Sequence, residues 1–178
     1  VKGMCKAKIT LNGSSGSYGS SISSYTITGG GYNVNSASLT TDTLTTSGTI
    51  TFTASITDSR GRTSNSVTCS ITVLDYTKPS VSSCKVYRCD SNGNASNAGT
   101  SFAIECTANY SSGIPGNTVT ISAKYKKSSD SSYGAAISLT NGSKKVVNGN
   151  LSTSSTYDVQ ITVRDKYNSV TLNYTLPT

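Results

Sequence analysis

The sequence lacks histidine and tryptophan, and Glu105 is its only glutamate. Without histidine, the chain cannot form a Ser-His-Asp or Cys-His nucleophile pair, a histidine-ligated zinc site or a histidine pH switch. A carboxylate pair for glycoside hydrolysis would have to consist of aspartates alone. These absences predict a protein that is not an enzyme and that uses no metal or cofactor.

Long apolar runs are also missing. No stretch approaches the roughly 18 apolar residues that indicate a membrane-spanning helix, and Val1–Met4 does not lead into the apolar run of a signal peptide. The five cysteines are odd in number and show no Cys-x-x-Cys spacing, which favours free, mostly buried thiols in a protein made in a reducing cytosol. Pairing of Cys5 with Cys69 stays open, because both lie on the apolar phase of predicted strands.

What the sequence has in abundance is serine and threonine, 34 and 27 residues. Its few large apolar residues alternate with these polar ones, and no window of a dozen residues shows a helical period. Alternating runs begin at Cys5, Ile50, Val67, Phe102, Val119, Tyr157 and Val170. Turn-forming sequences such as Gly29-Gly30-Gly31 and Asn141-Gly142 separate them. The pattern predicts an all-β protein whose strands are buried on one side.

The two halves of the sequence repeat with an offset of 107 residues. Leu44 and Ile50 align with Leu151 and Tyr157, and in both halves a strand ends at an aspartate, Asp58 or Asp165. A leucine six residues before a tyrosine is the spacing of a tyrosine corner in immunoglobulin-like sandwiches. After each aspartate the chain is predicted to turn through a residue that tolerates positive φ, Gly61 or Asn168.

The repeat predicts two tandem immunoglobulin/fibronectin-III-like β-sandwiches, residues 1–76 and 77–178. Between them, Pro79 cannot donate to a continuing strand ladder. Five basic and three acidic residues give the first half a net charge of +2, and ten basic and five acidic residues give the second half +5.

Several short motifs together resemble a family of siphophage tail proteins, minor structural or tail-fibre proteins from phages and prophages of Gram-positive bacteria. The motifs are Val1-x-Gly3-x-x-Lys6, Gly19-x-x-Ile22-x-x-Tyr25, Thr57-Asp58-Ser59-Arg60-Gly61-Arg62, Asp75-Tyr76-x-x-Pro79, Arg88-Cys89-Asp90-Ser91-x-Gly93 with Gly99, and Tyr125-Lys126-Lys127. Cys5 departs from the family pattern, in which a small polar residue is expected. The resemblance implies a virion protein of the phage tail, assembled in the host cytoplasm with other tail proteins, and it carries no catalytic residues. Tail symmetry suggests a homo-oligomer only by analogy.

Two groups of side chains are candidate binding residues. The lysines Lys124, Lys126, Lys127, Lys144 and Lys145 could attract an anionic polymer such as teichoic acid, or they could simply block edge-to-edge pairing of strands. The tyrosines Tyr18, Tyr32, Tyr133 and Tyr167 are predicted in loops and suit contacts with polar partners. Nucleic-acid binding is not expected, because Tyr125 lies on the inward phase and leaves the lysines without an exposed stacking aromatic.

Two further motifs are better explained as structure. Asp90-Ser91-Asn92-Gly93-Asn94 begins like a calcium loop, but Ala95 and Ser101 occupy the positions where the template has glycine and glutamate, so a hairpin loop is expected. A Lys–Asn isopeptide bond needs a buried carboxylate, whereas Glu105 is out of phase with the core and is expected to face solvent.

The sequence therefore predicts a non-enzymatic structural or adhesive component of a phage tail, which spaces modules or attaches to the host surface. The alternative is a carbohydrate-binding or adhesive module of an exported bacterial surface protein. That class usually displays a row of exposed aromatics, most often tryptophan, which this chain lacks. Host cell-wall carbohydrate or teichoic acid is the candidate ligand of an adhesive tail protein.

Overall fold

A computed structural model describes all 178 residues, and every regular element in it is a β-strand. None of its segments is a helix long and apolar enough to cross a membrane. The strands are β1 (Lys8–Thr10), β2 (Ile22–Gly29), β3 (Tyr32–Val34), β4 (Ser38–Thr40), β5 (Gly48–Asp58), β6 (Val67–Val73), β7 (Ser80–Cys89), β8 (Ser101–Asn109), β9 (Thr120–Lys127), β10 (Ile137–Leu139), β11 (Lys144–Val147), β12 (Tyr157–Arg164) and β13 (Ser169–Leu176). The chain divides into two compact units, Val1–Tyr76 and Thr77–Thr178.

The second unit is a seven-stranded sandwich. Its sheets have the strand orders β11-β8-β7 and β10-β9-β12-β13, and all of their pairs are antiparallel. The core lies between the two sheets, where Phe102 and Ile104 of β8 pack in one cluster with Val159 and Ile161 of β12. The alternating sequence forms this layer because every second side chain of a strand points to the same face.

The first unit has a smaller core. Its sheets have the orders β1-β4 and β3-β2-β5-β6, so one sheet has only two strands. Four buried apolar residues form the centre of its core: Ile27, Leu39, Phe52 and Ala54. The four-stranded sheet has the same connectivity as the four-stranded sheet of the second unit, with β2, β3, β5 and β6 in the places of β9, β10, β12 and β13.

These sheets confirm the prediction of an all-β chain built from immunoglobulin/fibronectin-III-like sandwiches. The tyrosine corner is also confirmed, because the hydroxyl of Tyr157 accepts a hydrogen bond from the backbone N–H of Ser152 at 3.0 Å. Leu151, the leucine six residues before it, is buried. At the matching position of the first unit, Ile50 has no hydroxyl and packs against the core instead.

The prediction of mostly buried thiols is wrong for three of the five cysteines. All five are free thiols, but only Cys89 and Cys106 are buried; Cys5 and Cys84 are half-buried and Cys69 is exposed. Cys69 lies directly opposite the buried Phe52 on the neighbouring strand. It therefore has the inward phase that was predicted, but nothing in the first unit covers β6 at Cys69, whereas Ile71 and Val73 on the same face pack against the core or are buried.

Glu105 is half-buried, although it was expected to face solvent. It accepts a hydrogen bond from the hydroxyl of Tyr87 at 3.1 Å and lies opposite Lys85 and Lys144 on the two neighbouring strands. Burial raises the pKa of Tyr87, and the hydrogen bond to Glu105 raises it further. The carboxylate therefore belongs to a cross-strand polar group on the outer face of β8.

Candidate functional site

The most exposed aromatic side chain lies in the connection between β1 and β2 of the first unit. Tyr18 is 88% exposed and has a φ of +54°, a backbone region that non-glycine residues seldom occupy. The neighbouring turn between β5 and β6 holds it there, since the guanidinium of Arg60 donates to the carbonyl oxygen of Tyr18 at 2.8 Å. We call Ser15, Gly16, Ser17, Tyr18, Arg60 and Arg62 together the Tyr18 surface.

The β5–β6 turn is itself organised by Asp58, the last residue of β5. Its Oδ1 accepts the backbone N–H groups of Arg60 and Arg62, each at 2.9 Å, while its Oδ2 accepts two donors from the Arg62 guanidinium at 2.6 and 2.9 Å. The backbone N–H and guanidinium of Arg62 hold the pKa of Asp58 well below its usual range. Gly61 completes the predicted turn with a φ of +77°, which glycine tolerates.

Arg62 also reaches across to the β1–β2 connection, where it donates to the carbonyl oxygen of Ser17 and to the hydroxyl of Ser20, both at 3.3 Å. A cleft of about 230 Å³ lies between this connection and the turn, lined by Ser15–Ser17, Ile22, Ile56, Asp58 and Arg62–Ser64. Serine side chains and the side chains of Asp58 and Arg62 therefore line the cleft, and the exposed Tyr18 follows Ser17 in the same connection. This combination suits a polar ligand that both donates and accepts hydrogen bonds.

The second unit repeats the aspartate but not the whole turn. Oδ1 of Asp165 accepts the backbone N–H groups of Tyr167 and Asn168 at 2.8 and 2.7 Å, and its Oδ2 accepts the side-chain amide of Asn117 at 3.3 Å. The chain turns at Asn168, as predicted, but Asn168 does not adopt the positive φ that an asparagine tolerates. The turn closes from Asp165 to Asn168, one residue shorter than the turn from Asp58 to Arg62, and needs no left-handed residue.

The predicted lysines are divided between the two sheets of the second unit. Lys124 and Lys126 share the outer face of β9, with the exposed Lys127 at the end of that strand. Lys144 and Lys145 lie on β11, at the edge of the other sheet. The structure thus brings together two lysine groups and not one continuous patch of five.

Lys126 already has partners within the unit. Its Nζ donates to the carbonyl oxygen of Asp130 at 2.6 Å, lies 3.8 Å from the carboxylate of Asp158 and stands 5.5 Å from the centre of the Tyr133 ring. These contacts hold Tyr133 half-buried between β9 and β10. Tyr125 packs against the core, with its ring centre 5.1 Å from that of Phe102, as its inward phase predicted.

The four candidate tyrosines differ in their surroundings. Tyr32 is not in a loop: it begins β3, packs against the core, and its hydroxyl accepts the backbone N–H of Asp42 at 2.8 Å. Tyr167 lies in the β12–β13 turn with the Lys166 ammonium 5.6 Å from its ring centre. Among the four, Tyr18 alone is almost fully exposed.

The Asp90 loop connects β7 to β8. The carboxylate of Asp90 accepts the backbone N–H groups of Asn92 and Asn94 at 2.9 Å and the side-chain amide of Asn94 at 3.0 Å. The side-chain hydrogen bond from Asn94 lowers the pKa of Asp90. The oxygens are thus used within the turn, and the chain contains no group of three or more Cys, Asp or Glu side chains placed to hold a metal ion.

The sequence matches, over residues 1–178, the model of a family described as "Siphovirus protein of unknown function (DUF859)". The chain belongs to this siphovirus family. The resemblance to a siphophage family that the short motifs indicated is thereby confirmed. No curated protein sequence matches the chain.

Among solved structures, the siphovirus protein is similar to the crystal structure of the chicken CNTN1 FN1–FN3 domains. The identity is 9% and the TM-score 0.36, over 87% of this chain and 56% of that one. The siphovirus chain thus spans little more than half of the structure it matches.

The sequence pattern did not point to the two arginines of the Tyr18 surface in the siphovirus protein. Arg60 and Arg62 belong to the motif Asp58-Ser59-Arg60-Gly61-Arg62, which was interpreted as a turn and as part of the family resemblance, without a binding role. A short loop that carries two arginines after a buried aspartate was the available signal. Their contacts with the distant Ser17 and Tyr18 could not be read from the sequence.

Proposed function

We propose that this siphovirus protein is a non-enzymatic structural and adhesive component of the phage tail, a tail-fibre or minor tail protein. Its family membership supports a phage protein over an exported bacterial surface protein. The small sandwiches place most serine and threonine side chains on outer faces, as in the exposed Thr51 and Ser70 pair of β5 and β6. Such surfaces suit a module that joins other tail proteins in the virion.

We propose the Tyr18 surface as the attachment surface of this component. The observation that supports it is the almost fully exposed Tyr18, held at a strained φ by Arg60. Strained backbone at an exposed aromatic is costly unless surrounding contacts maintain it, and it is concentrated at sites of function. The ligand class is the polyhydroxylated or phosphate-bearing polymer of a Gram-positive cell wall, carbohydrate or teichoic acid.

Binding to purified host cell walls tests the proposal. We expect saturable binding of the fluorescently labelled chain, weakened about tenfold or more by Tyr18→Ala or Arg60→Ala, since one central aromatic or arginine contact can dominate an interface. Tyr133→Ala is the matched control, because Tyr133 is held within the second unit. Walls stripped of teichoic acid distinguish the phosphate polymer from the remaining carbohydrate.

The lysines of β9 form the other candidate attachment surface. If Lys124→Ala with Lys127→Ala abolishes wall binding while Tyr18→Ala does not, the attachment surface lies on β9 and the assignment to the Tyr18 surface is wrong. If no variant and no wall preparation gives saturable binding, the adhesive part of the proposal fails and only the structural part remains. Immunogold labelling of intact particles then locates the chain in the virion.

We also propose that the two units are separate domains joined near Pro79. The few residues from Leu74 to Pro79 lie between β6 and β7. Limited proteolysis of the whole chain should give fragments that end in this stretch. Fragments that end only within the strands of either unit would contradict the division at 76/77.

A further inference from the structure

The first unit lacks one strand that the second unit has. The four-stranded sheets of the two units correspond strand for strand, whereas the opposite sheets are β1-β4 in the first unit and β7-β8-β11 in the second. Because β1 and β4 take the places of β8 and β11, no strand of the first unit takes the place of β7. One edge of β1 is therefore left without a neighbour.

In the second unit, β7 covers the inner face of the last strand, β13. Val81, Cys84 and Val86 of β7 pack against the core. The hydroxyl of Tyr174 on β13 donates to the carbonyl oxygen of Cys84 at 3.4 Å, and Leu176 is almost completely buried. Burial raises the pKa of Tyr174 to about 12.

The corresponding face of the first unit is open. Strand register identifies two pairs of equivalent residues. Cys69 corresponds to Tyr174, because they lie opposite Phe52 and Val159, respectively. Val67 corresponds to Leu172, because they lie opposite Ala54 and Ile161, respectively. Val67 is nevertheless 63% exposed, and Cys69 is exposed too. Apolar residues that face the core in one unit thus face solvent in the other.

A groove runs along this open face between β1 and β6. It consists of two adjoining depressions of about 390 and 260 Å³. Ile9, Thr10 and Cys69 border both depressions. The larger one also reaches the buried residues Ala7 and Val73, and the smaller one reaches the buried residues Phe52 and Ala54. The groove therefore opens directly onto the small core of the first unit.

The edge of β1 along this groove can accept a strand. The N–H of Leu11 donates to the carbonyl oxygen of Ala37, and the carbonyl oxygen of Ala7 accepts from the N–H of Thr41. The backbone groups of the odd-numbered residues therefore bond towards β4. Because backbone groups alternate in direction along a strand, those of Lys8 and Thr10 point to the open edge. An unpaired edge of this kind is a template for strand addition.

We propose that the groove of the first unit is an acceptor site for a β-strand that adds antiparallel to the free edge of β1 and completes the sandwich. The donor has the pattern of β7, with apolar residues alternating inward over Val67, Cys69 and Ile71. It belongs to the same polypeptide and leads into β1 from the N-terminal side, as β7 leads into β8 through residues 90–100.

Charge argues against a second copy of β1 as the donor. Lys6 and Lys8 are exposed on the outer face of this edge, and antiparallel pairing of two β1 strands would bring lysines opposite lysines. A donor with neutral or acidic outward residues fits better. The second unit shows the favourable arrangement, with Lys85 of β7 opposite Glu105 of β8.

The accessibility of Cys69 to a thiol reagent tests the proposal. The 178-residue chain is compared with a version that carries the β7 sequence, residues 80–89 with Cys84→Ala and Cys89→Ala, and an 11-residue Gly/Ser linker ahead of Val1. We expect the added strand to slow alkylation of Cys69 by about tenfold or more and to raise the unfolding midpoint of the first unit, because anything that binds only the folded state stabilises it. Cys84 in the native second unit should react at an unchanged rate.

A scrambled strand on the same linker is the matched control, and it should leave both quantities unchanged. Val67→Asp provides a second variant: Val67 is exposed in the chain without a donor, so that chain should fold normally, yet the added strand should no longer protect Cys69. Equal protection by the scrambled strand, or none by the β7 sequence, would overturn the proposal. So would protection that occurs only in dimers on size-exclusion chromatography, since the occupant would then be a second copy.

Discussion

The guanidinium of Arg88 lies over the ring of Tyr157, 5.6 Å from its centre, and both residues are buried in the second unit. Arg88 has no carboxylate partner there. Instead it donates to four backbone carbonyl oxygens, those of Gly99, Ser152, Ser155 and Pro177. The arginine thus joins the β7–β8 connection, the segment before β12 and the end of the chain, and the tyrosine corner forms one wall of this site.

Replacement of Arg88 by lysine should destabilise the second unit. A lysine keeps the charge but cannot match the planar fork that donates in several directions at once. We expect a loss of about 3 kcal/mol in the free energy of unfolding, since hydrogen bonds from charged groups contribute roughly 1.5–3 kcal/mol each and several are lost. Urea unfolding followed by circular dichroism measures it. Arg164→Lys, at an exposed position, is the control and should change stability little.

Replacement of Tyr157 by phenylalanine isolates the corner hydrogen bond. The ring remains to pack against the core and Arg88, but the N–H of Ser152 loses its acceptor. The expected cost is about 1 kcal/mol, the usual net value of one intramolecular hydrogen bond. Tyr133→Phe serves as the comparison, because no hydrogen bond of the Tyr133 hydroxyl holds the fold. Equal losses in the two variants would show that the corner bond contributes nothing.

Much of the fold could be predicted from the alternation of apolar and polar residues. Val159, Ile161 and Val163 are fully buried, as the period-two pattern predicted. The strands β2 and β7 gave no such run, and both contain a register shift, at Ile22/Ser24 and Val81/Ser83. A bulge adds a residue and changes the phase of the alternation, so a pattern of period two cannot detect a strand that is bulged.

The candidate site was less accessible to sequence reasoning. Tyr18 was identified from its loop, but its contact with Arg60 joins residues 42 positions apart and depends on how two connections meet. Burial of Arg88 was equally hidden, because its partners are backbone carbonyl oxygens of segments 11 to 89 positions away in the sequence. The exposure of Cys69 could not be predicted either, since its phase is apolar and only the missing neighbour of β1 leaves it uncovered.

The reactivity of the five thiols should follow their observed burial, and not the burial of most of them that the sequence suggested. Cys69 should be alkylated fastest in the folded chain, because it is exposed. Burial raises the pKa of Cys106 to about 12, so almost no thiolate is present near neutral pH and its alkylation should need unfolding. Peptide mass spectrometry of a time course gives the individual rates. Cys69→Ser should remove the fast phase, whereas similar native rates for Cys69 and Cys106 would contradict the structure.

The stability of the first unit should decrease in acid through Asp58. Its folded pKa lies well below the value of 3.8 expected without these contacts, because the backbone N–H and guanidinium of Arg62 stabilise the charged form. A lowered folded pKa means that the stabilisation is complete above the unfolded pKa and is lost as the pH falls from about 4 through the folded value. Thermal unfolding from neutral pH down to about pH 2 should therefore show an acid-dependent decrease that is smaller in Asp58→Asn.

Asp75→Asn removes only an exposed ion pair with Lys2 and should keep the wild-type pH profile. If Asp58→Asn keeps that profile as well, the carboxylate does not hold the turn, and the support of Tyr18 by the β5–β6 turn must come from Arg60 alone.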